Sequence, residues 1–353
     1  MSRGPMIVRG MSEAVAAVPY FFGANPAGSL VVFSLDPDKA PMARVDLPST
    51  DAARAAVAEA ISGPYHRNGT GQPVVLMAFT ADQEQAAAVC AAVTCELEPL
   101  VPVRAMVMVD GDRWQRLDAV DAGEVSQSTR DRFAAEAIFR RGASPAASMA
   151  DLHARFAPAQ PLPPEVLADA VQVARERSGE GADAAERAWM RMVLERHLAS
   201  YEPLSDQHAA RLVADVQSVG LRDYAAAIIT RGHAREHGEL WREVTTRTPA
   251  ELRAPAASLA AYSYFMGGDG LSTRLALQQA PEDYPLARLI DTLARSGGNP
   301  NTMPMLGELL ATPEPPSPLA DSRSAPSPSP GARAQRATPP SQNPRRHNPG
   351  AAR

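Results

Sequence analysis

The feature that most constrains the fold is an apolar stretch between positions 17 and 33 that prolines and glycines interrupt. Its first part predicts a helix over about 13–22, with Ser12 as the N-cap and Gly23 just after the helix, where positive φ is favoured. After a turn, residues 30–35 are almost continuously apolar and rich in β-branched side chains. That composition is typical of a strand buried on both faces. The stretch therefore predicts a helix, a turn and a central strand.

The following part of the chain alternates between predicted strands and predicted helices. Residues 73–79 give the clearest buried strand, and Asp110-Gly111 is a strong hairpin signal. A helix over about 51–62 should end at Gly63-Pro64, because proline is unfavourable inside a helix. The other predicted elements are strands at 42–47, 101–109 and 113–117, and a helix that begins at Thr80 or Asp82 and runs to about Val93. This order predicts an α/β domain over 1–125, with a mixed sheet flanked by helices.

After this domain the strand patterns disappear. Residues 119–130 are polar and lack periodicity, and 126–182 are predicted to form connecting helices and a linker. Residues 183–300 predict an all-α helical-hairpin domain. Within it, 252–279 has small residues, a glycine-rich turn and a later proline, which resemble one tetratricopeptide-type hairpin. Residues 301–353 are rich in Pro, Ser and Arg and predict a disordered basic tail.

Charge and composition exclude several classes of function. The formal net charge of the 353 residues is -5, so the chain lacks the basic field that nucleic-acid binding requires. It contains no apolar run of about 18 residues, so no membrane span is predicted. Lys39 is the only lysine, and we attribute the many arginines to overall composition rather than to selected sites. We expect a cytoplasmic protein without a cofactor, whose partner is a protein or peptide.

Three short patterns have structural explanations. Cys90 and Cys95 do not have the Cys-x-x-Cys spacing of redox or zinc sites, and we expect one buried thiol on a helix and one in the following loop. The hairpin turn accounts for Asp110 and Asp112. The sequence Gly-Gly-Asp-Gly at 267–270 follows a predicted helix and contains no lysine, so it fits neither a P-loop nor a dinucleotide fingerprint.

The sharpest chemical motif consists of His233, Glu236 and His237. In the inverted zinc-peptidase pattern His-x-x-Glu-His, two histidines on one helix face bind zinc and the glutamate activates water. Here Gly232 and Gly238 bracket the motif, and its residues are as polar as a solvated helix face. We therefore predict no metal site at these residues.

A series of short segments occurs in collinear order over roughly residues 12–300. These are Val18-Pro19-Tyr20, Gly23, Pro26, Ser29-Leu30-Val31-Val32, Arg44-Val45-Asp46-Leu47-Pro48, Val109-Asp110-Gly111, Arg113-Trp114, Pro203-Leu204-Ser205, Val219, Arg222-Asp223, Glu239-Leu240-Trp241, Gly268-Asp269-Gly270 and Ala276. Together they resemble an actinobacterial family, domain of unknown function 4192. The resemblance implies no established activity and therefore no catalytic residues.

One departure from that family concerns the segment after the Arg-Trp strand. Many members carry a Cys-rich, Pro-rich segment there, whereas residues 117–130 contain no cysteine. Any metal or redox role of that segment would not apply to this chain. His237 and Trp241 fall within the resembling stretch, and His233 does not, which further weakens the zinc hypothesis.

These patterns lead to two hypotheses about function. The leading one is a non-catalytic binding or scaffolding protein whose helical domain binds a peptide or protein, because grooves between α-hairpins commonly receive peptides. The alternative is a hydrolase-type enzyme with a site at the strand ends of the α/β domain. Its candidate catalytic residues are Asn25, Ser29, Asp46 and Asp110.

Overall fold

The computed structural model describes residues 8–36, 41–68, 71–141, 144–177, 181–200 and 202–311. Six strands in this part of the chain form one mixed sheet. They are β1 (Ser29–Ser34), β2 (Ala43–Asp46), β3 (Val74–Phe79), β4 (Val103–Asp110), β5 (Arg113–Arg116) and β6 (Ala122–Glu124). Their order across the sheet is β2-β1-β3-β4-β5-β6.

The pairing of the strands sets which residues meet at each end of the sheet. β1 is antiparallel to both β2 and β3, β3 and β4 are parallel, and the remaining pairs are antiparallel. Ser29 lies opposite Asp46 on one side and Phe79 on the other, and Phe79 lies opposite Val109. β1 and β3 are interior strands and are almost completely buried, as predicted from their continuous apolar runs.

Helices cover both faces of the sheet. They are α1 (Met11–Phe22) and α4 (Gln127–Arg141) on one face and α2 (Asp51–Asn68) and α3 (Gln83–Leu97) on the other. Successive residues of a strand point to opposite faces. Accordingly, Val31 and Phe33 belong to the first hydrophobic cluster, and Leu30 and Val32 belong to the second.

The start of α1 differs from the prediction. The helix begins at Met11 with Gly10 at the N-cap, so Ser12 is not the cap. The Ser12 hydroxyl accepts a hydrogen bond from Nε1 of Trp114 at 2.9 Å and donates one to the carbonyl of Glu124 at 3.1 Å. Its bonds therefore go to the sheet rather than to the helix backbone. Gly23 ends the helix with φ of 75°, as predicted.

The prediction that α2 ends at Gly63-Pro64 is wrong, because the helix continues to Asn68. Tyr65 is buried and its hydroxyl donates to the carbonyl of Pro41 at 2.5 Å. Arg67 donates to the carbonyls of Arg295 and Ser296 at 2.8 and 3.2 Å. A proline inside a helix costs about 3 kcal/mol, and these tertiary contacts of the last turn offset that cost.

Asp82 caps α3 by accepting a hydrogen bond from the Gln85 N–H at 3.0 Å, as predicted. The helix continues past Val93 to Leu97, so the expectation that Cys95 lies in a loop is wrong. The side chain of Leu97 is buried and packs the last turn against the core. Cys90 is buried and Cys95 is exposed on the same helix.

The polar segment 119–130 also contains regular structure that its sequence does not predict. β6 forms there by pairing with β5, and α4 begins at Gln127. The close approach of β6 to the sheet requires Gly123, because a Cβ atom at this residue would lie 2.8 Å from the ring of Trp114.

Ten further helices in the part of the chain that the structure describes pack around a third hydrophobic cluster. They are α5 (Met149–Ala154), α6 (Pro164–Glu176), α7 (Ala182–Ser200), α8 (Asp206–Asp215), α9 (Val219–Ala227), α10 (Ala234–Arg247), α11 (Ala254–Met266), α12 (Gly270–Leu277), α13 (Pro285–Arg295) and α14 (Leu306–Ala311). We call this set the helical part. None of the described helices is long and apolar enough to cross a membrane.

The predicted hairpin at 252–279 corresponds to α11 and α12, and its likeness to a tetratricopeptide repeat stays a prediction. The boundaries at residues 125, 182 and 300 are likewise predictions, and the described residues up to Ala311 belong to one compact unit. Of the predicted tail, 301–311 is described and includes α14. The rest of the predicted tail lies outside the described residues.

α10 and α11 approach each other closely where Gly238 faces the ring of Tyr264. A Cβ atom on residue 238 would lie 2.8 Å from Cδ1 and Cε1 of that ring. The neighbouring carboxylate of Glu239 accepts hydrogen bonds from the Tyr264 hydroxyl at 3.0 Å and from Arg242 Nε at 3.1 Å. Arg155 Nη2 donates to both of its oxygens at 2.9 and 2.8 Å. Burial alone would raise the pKa of Glu239, but Arg155 and Arg242 hold it below its usual value.

We predict that Gly238→Ala lowers the free energy of unfolding by about 2 kcal/mol, because the added methyl group must displace the Tyr264 ring. Gly232→Ala is the matched control, because nothing lies within 4 Å of a Cβ atom at that position. It should change stability by less than about 0.5 kcal/mol. Urea unfolding of the two variants measures the difference, and equal stabilities would contradict the tight α10–α11 contact.

Candidate functional site

Two of the strand-end candidates from the sequence lie next to each other. Ser29 at the start of β1 is directly opposite Asp46 at the end of β2. The guanidinium of Arg44 joins them, since its Nε donates to Ser29 Oγ at 2.9 Å and its Nη2 donates to Asp46 Oδ1 at 2.7 Å. Ser29 is buried, and the side chain of Asp46 is 84% exposed. This pair is a serine and a carboxylate that share one arginine.

The other two candidates are not brought to that pair. Asp110 is exposed at the end of β4, and β1 and β3 separate it from β2. At about 4.8 Å per strand spacing, the backbones at Asp46 and Asp110 are about 14 Å apart. Asn25 uses its side chain locally, because its Oδ1 accepts from the Ala27 N–H at 3.2 Å. Its backbone N–H donates to the carbonyl of Ala146 at 3.1 Å.

A more extensive feature is a groove between α7, α9 and the start of α10, which we call the α7 groove. It consists of an outer part of about 750 Å³ and a more enclosed inner part of about 580 Å³. The linings of the two parts share Arg191 and Glu195, so the parts lie next to each other along α7. The outer part is lined by residues that include Arg187, Ala188, Met192, Arg196 and Tyr224. The inner part is lined by residues that include Leu194, Leu198, Ile228, Thr230, His233 and His237.

The opposite side of α7 is anchored by buried charges. Helical periodicity turns Glu186 away from the groove. Its carboxylate accepts from Arg211 Nε and Nη2 at 2.7 and 2.9 Å. Arg177 pairs with both Glu186 and the buried Asp215. Burial and the nearby Glu186 carboxylate raise the pKa of Asp215 to about 7. These bonds tie α7 to α8 and to the residue after α6, so one side of α7 is fixed while the other side is open.

His237 is the most deeply buried polar residue of the groove. It is 3% exposed and lines the inner part, and its Nδ1 has no hydrogen-bond partner among the described residues. Burial lowers the pKa of His237 to about 4, and the nearby His233 and His197 add to this effect. The imidazole is therefore neutral near pH 7. A buried nitrogen that lacks a partner within the protein is a feature expected of a binding site.

The structure separates the members of the zinc-peptidase motif. His233 and His237 both line the inner part of the groove, whereas Glu236 is not among the lining residues. In the described part of the chain, no group of three or more His, Cys, Asp or Glu side chains is arranged to hold a metal ion. Two imidazoles can offer hydrogen bonds to a ligand in the groove without a metal.

Arginine and tyrosine side chains form the wall of the outer part. The guanidinium carbons of Arg187 and Arg191 lie 5.6 and 5.9 Å from the centre of the Tyr224 ring. Arg191 Nε also donates to the Tyr224 hydroxyl at 3.0 Å. We did not predict these residues, because arginine is frequent throughout the chain. The available signal was the spacing of Arg187, Arg191 and Glu195, which places three charges on one face of a helix.

We predict that His237 makes stability depend on pH. Between about pH 6.5 and pH 4 the unfolded chain protonates this imidazole and the folded chain does not, so stability falls as pH falls through this window. Over this window the free energy of unfolding should fall by about 3 kcal/mol more in the wild type than in His237→Phe. Urea unfolding near pH 7 and near pH 4.5 measures it, with the exposed His66→Phe as the control. Parallel curves for wild type and His237→Phe would contradict the burial of a neutral imidazole.

Comparison with known proteins identifies a family. Residues 12–301 match the model of the family described as Domain of unknown function (DUF4192), and no curated protein and no solved structure matches. The matched range includes the sheet and the α7 groove. It also agrees with the resemblance carried by the short collinear segments. Because the match covers well over half of the chain, the chain belongs to the DUF4192 family.

Proposed function

We propose that this protein is a non-catalytic binding protein whose α7 groove receives a peptide segment of a partner protein. The observation that supports this most strongly is that the two parts of the groove adjoin along α7, where both are lined by Arg191 and Glu195. A single extended ligand lying along α7 would contact both parts. Grooves between packed helices are a common place for peptide recognition.

The length of the groove suits a peptide. Its lining residues on α7 extend from Ala184 to Ala199. At about 1.5 Å per residue, the groove follows α7 for about 22 Å. That distance matches about four turns of helix or about six residues of extended chain. A metabolite-sized ligand would occupy only one of the two parts.

The lining of the groove also offers apolar surface that suits the side chains of a peptide. Leu198 and Ile228 supply apolar surface in the inner part, and Met192 is 56% exposed at the outer part. Methionine is flexible and polarisable, so it adapts to different apolar partners. Because Glu186 anchors the back of α7, the groove is organised before binding, which reduces the entropy lost on association.

The alternative of a hydrolase-type enzyme at the strand ends has less support. A nucleophilic serine needs a general base within about 3 Å. The Ser29 hydroxyl instead accepts from Arg44, and a guanidinium does not take up a proton. Asp46 is bound to the same guanidinium.

Filling the groove should abolish peptide binding. We predict that Ala188→Trp, which places an indole in the outer part, weakens peptide binding at least about tenfold. The probe is a random library of short displayed peptides, selected on the full chain. The enriched peptides are then synthesised, and their dissociation constants are measured by fluorescence anisotropy.

Ala168→Trp is the control, because Ala168 is exposed on α6 and is not among the residues that line the groove. It should bind the selected peptides as the wild type does. Peptides that bind equally well to Ala188→Trp would refute the groove as the site. A selection that enriches no peptide would refute the peptide-binding function itself.

A further inference from the structure

We infer that the ligand of the α7 groove is an acidic amphipathic peptide segment. This inference rests on the proposed peptide-binding function and adds the charge of the peptide to it. It depends on three observations: guanidinium groups without ion-pair partners, their organisation around an aromatic ring, and the charge of the chain as a whole.

Three arginines of the outer part make no close contact with a carboxylate. Arg187, Arg191 and Arg196 line the groove, and none of them has a carboxylate oxygen within 4 Å among the described residues, although the charge of Glu195 acts on Arg191 from a longer distance. Arg155 and Arg211, on other surfaces of the helical part, each have a carboxylate within 3 Å. Guanidinium groups bind carboxylates through paired hydrogen bonds. The groove therefore offers binding capacity for acidic groups that the described protein does not use.

Tyr224 orders two of these guanidinium groups before any ligand arrives. Its ring lies beside both Arg187 and Arg191, and its hydroxyl accepts the Nε hydrogen of Arg191. The terminal nitrogens of Arg191 take no part in a hydrogen bond with the described residues. An arginine held by an aromatic ring loses less conformational entropy when it binds an anion.

The balance of charge makes the groove distinct from the rest of the molecule. The lining of the groove contains three guanidinium groups and one carboxylate, that of Glu195. The chain as a whole carries a net charge of -5. A negatively charged segment is thus repelled by the average surface and attracted by the groove. The apolar side chains of the inner part and the unpartnered Nδ1 of His237 require that the segment also carries apolar and hydrogen-bonding groups.

The test uses two labelled peptides of about 15 residues, long enough to follow the groove. Both carry leucine at helical spacing. One has glutamate at the intervening positions, and the other has glutamine at the same positions. We expect the glutamate peptide to bind at least about tenfold more tightly at low salt. Its affinity should fall as sodium chloride rises from about 50 to about 500 mM, because salt screens exposed charges.

The double variant Arg187→Gln with Arg196→Gln should lose about tenfold in affinity for the glutamate peptide. Both residues are exposed, so the fold should be retained, which a thermal melt verifies. Arg288→Gln, an exposed arginine on α13, is the control and should bind normally. A single-stranded oligonucleotide of similar charge should bind weakly, because it lacks the leucine face.

Different failures have different meanings. If the glutamine peptide binds as tightly and Ala188→Trp still abolishes its binding, peptide binding stands and the acidic preference is refuted. If the oligonucleotide binds as well as the glutamate peptide, the groove is a general polyanion site and the inference is also refuted. If neither peptide binds, and the selected library peptides do not bind either, both the acidic preference and the proposed peptide-binding function are refuted.

Discussion

The carboxylate of Glu239 joins the end of α5 to α10 and α11, and α10 supplies His237 to the inner part of the groove. The carboxylate accepts hydrogen bonds from Arg155, Arg242 and Tyr264, and charged groups make such bonds short and strong. Removing it would leave two guanidinium groups without a counter-charge at a partly buried position. The same helix carries His237 on its groove side, so Glu239 also fixes the inner part of the groove.

α7 explains how a helical protein of this kind acquires a free binding surface. One side of the helix is held by the buried carboxylate of Glu186, which Arg177 and Arg211 neutralise. The other side carries Arg187 and Arg191 against Tyr224 of α9, and the start of α10 lies beside its C-terminal half. Because the anchoring and the exposed residues occupy opposite sides of one helix, the protein can present a rigid surface without exposing its core.

The interior strands were predictable from sequence, because a continuous run of β-branched residues has few alternatives to a buried strand. The end of α2 was not predictable. Tyr65 and Arg67 contact residues that are distant in the sequence, and these contacts outweigh the helix-ending effect of Gly63-Pro64. The groove was missed for a related reason. Arg187 is one of many arginines, and Tyr224, which distinguishes it, lies on another helix. Local patterns cannot report a surface assembled from three separate segments.

Hydrogen–deuterium exchange with and without a bound peptide tests the central claim most directly. The measurement covers the whole chain at once, so it compares the groove and the strand ends in a single experiment. We predict that the peptide slows exchange along α7 and in residues 224–237, with no change near Ser29 and Asp46. Protection at the strand ends with none along α7 would contradict it.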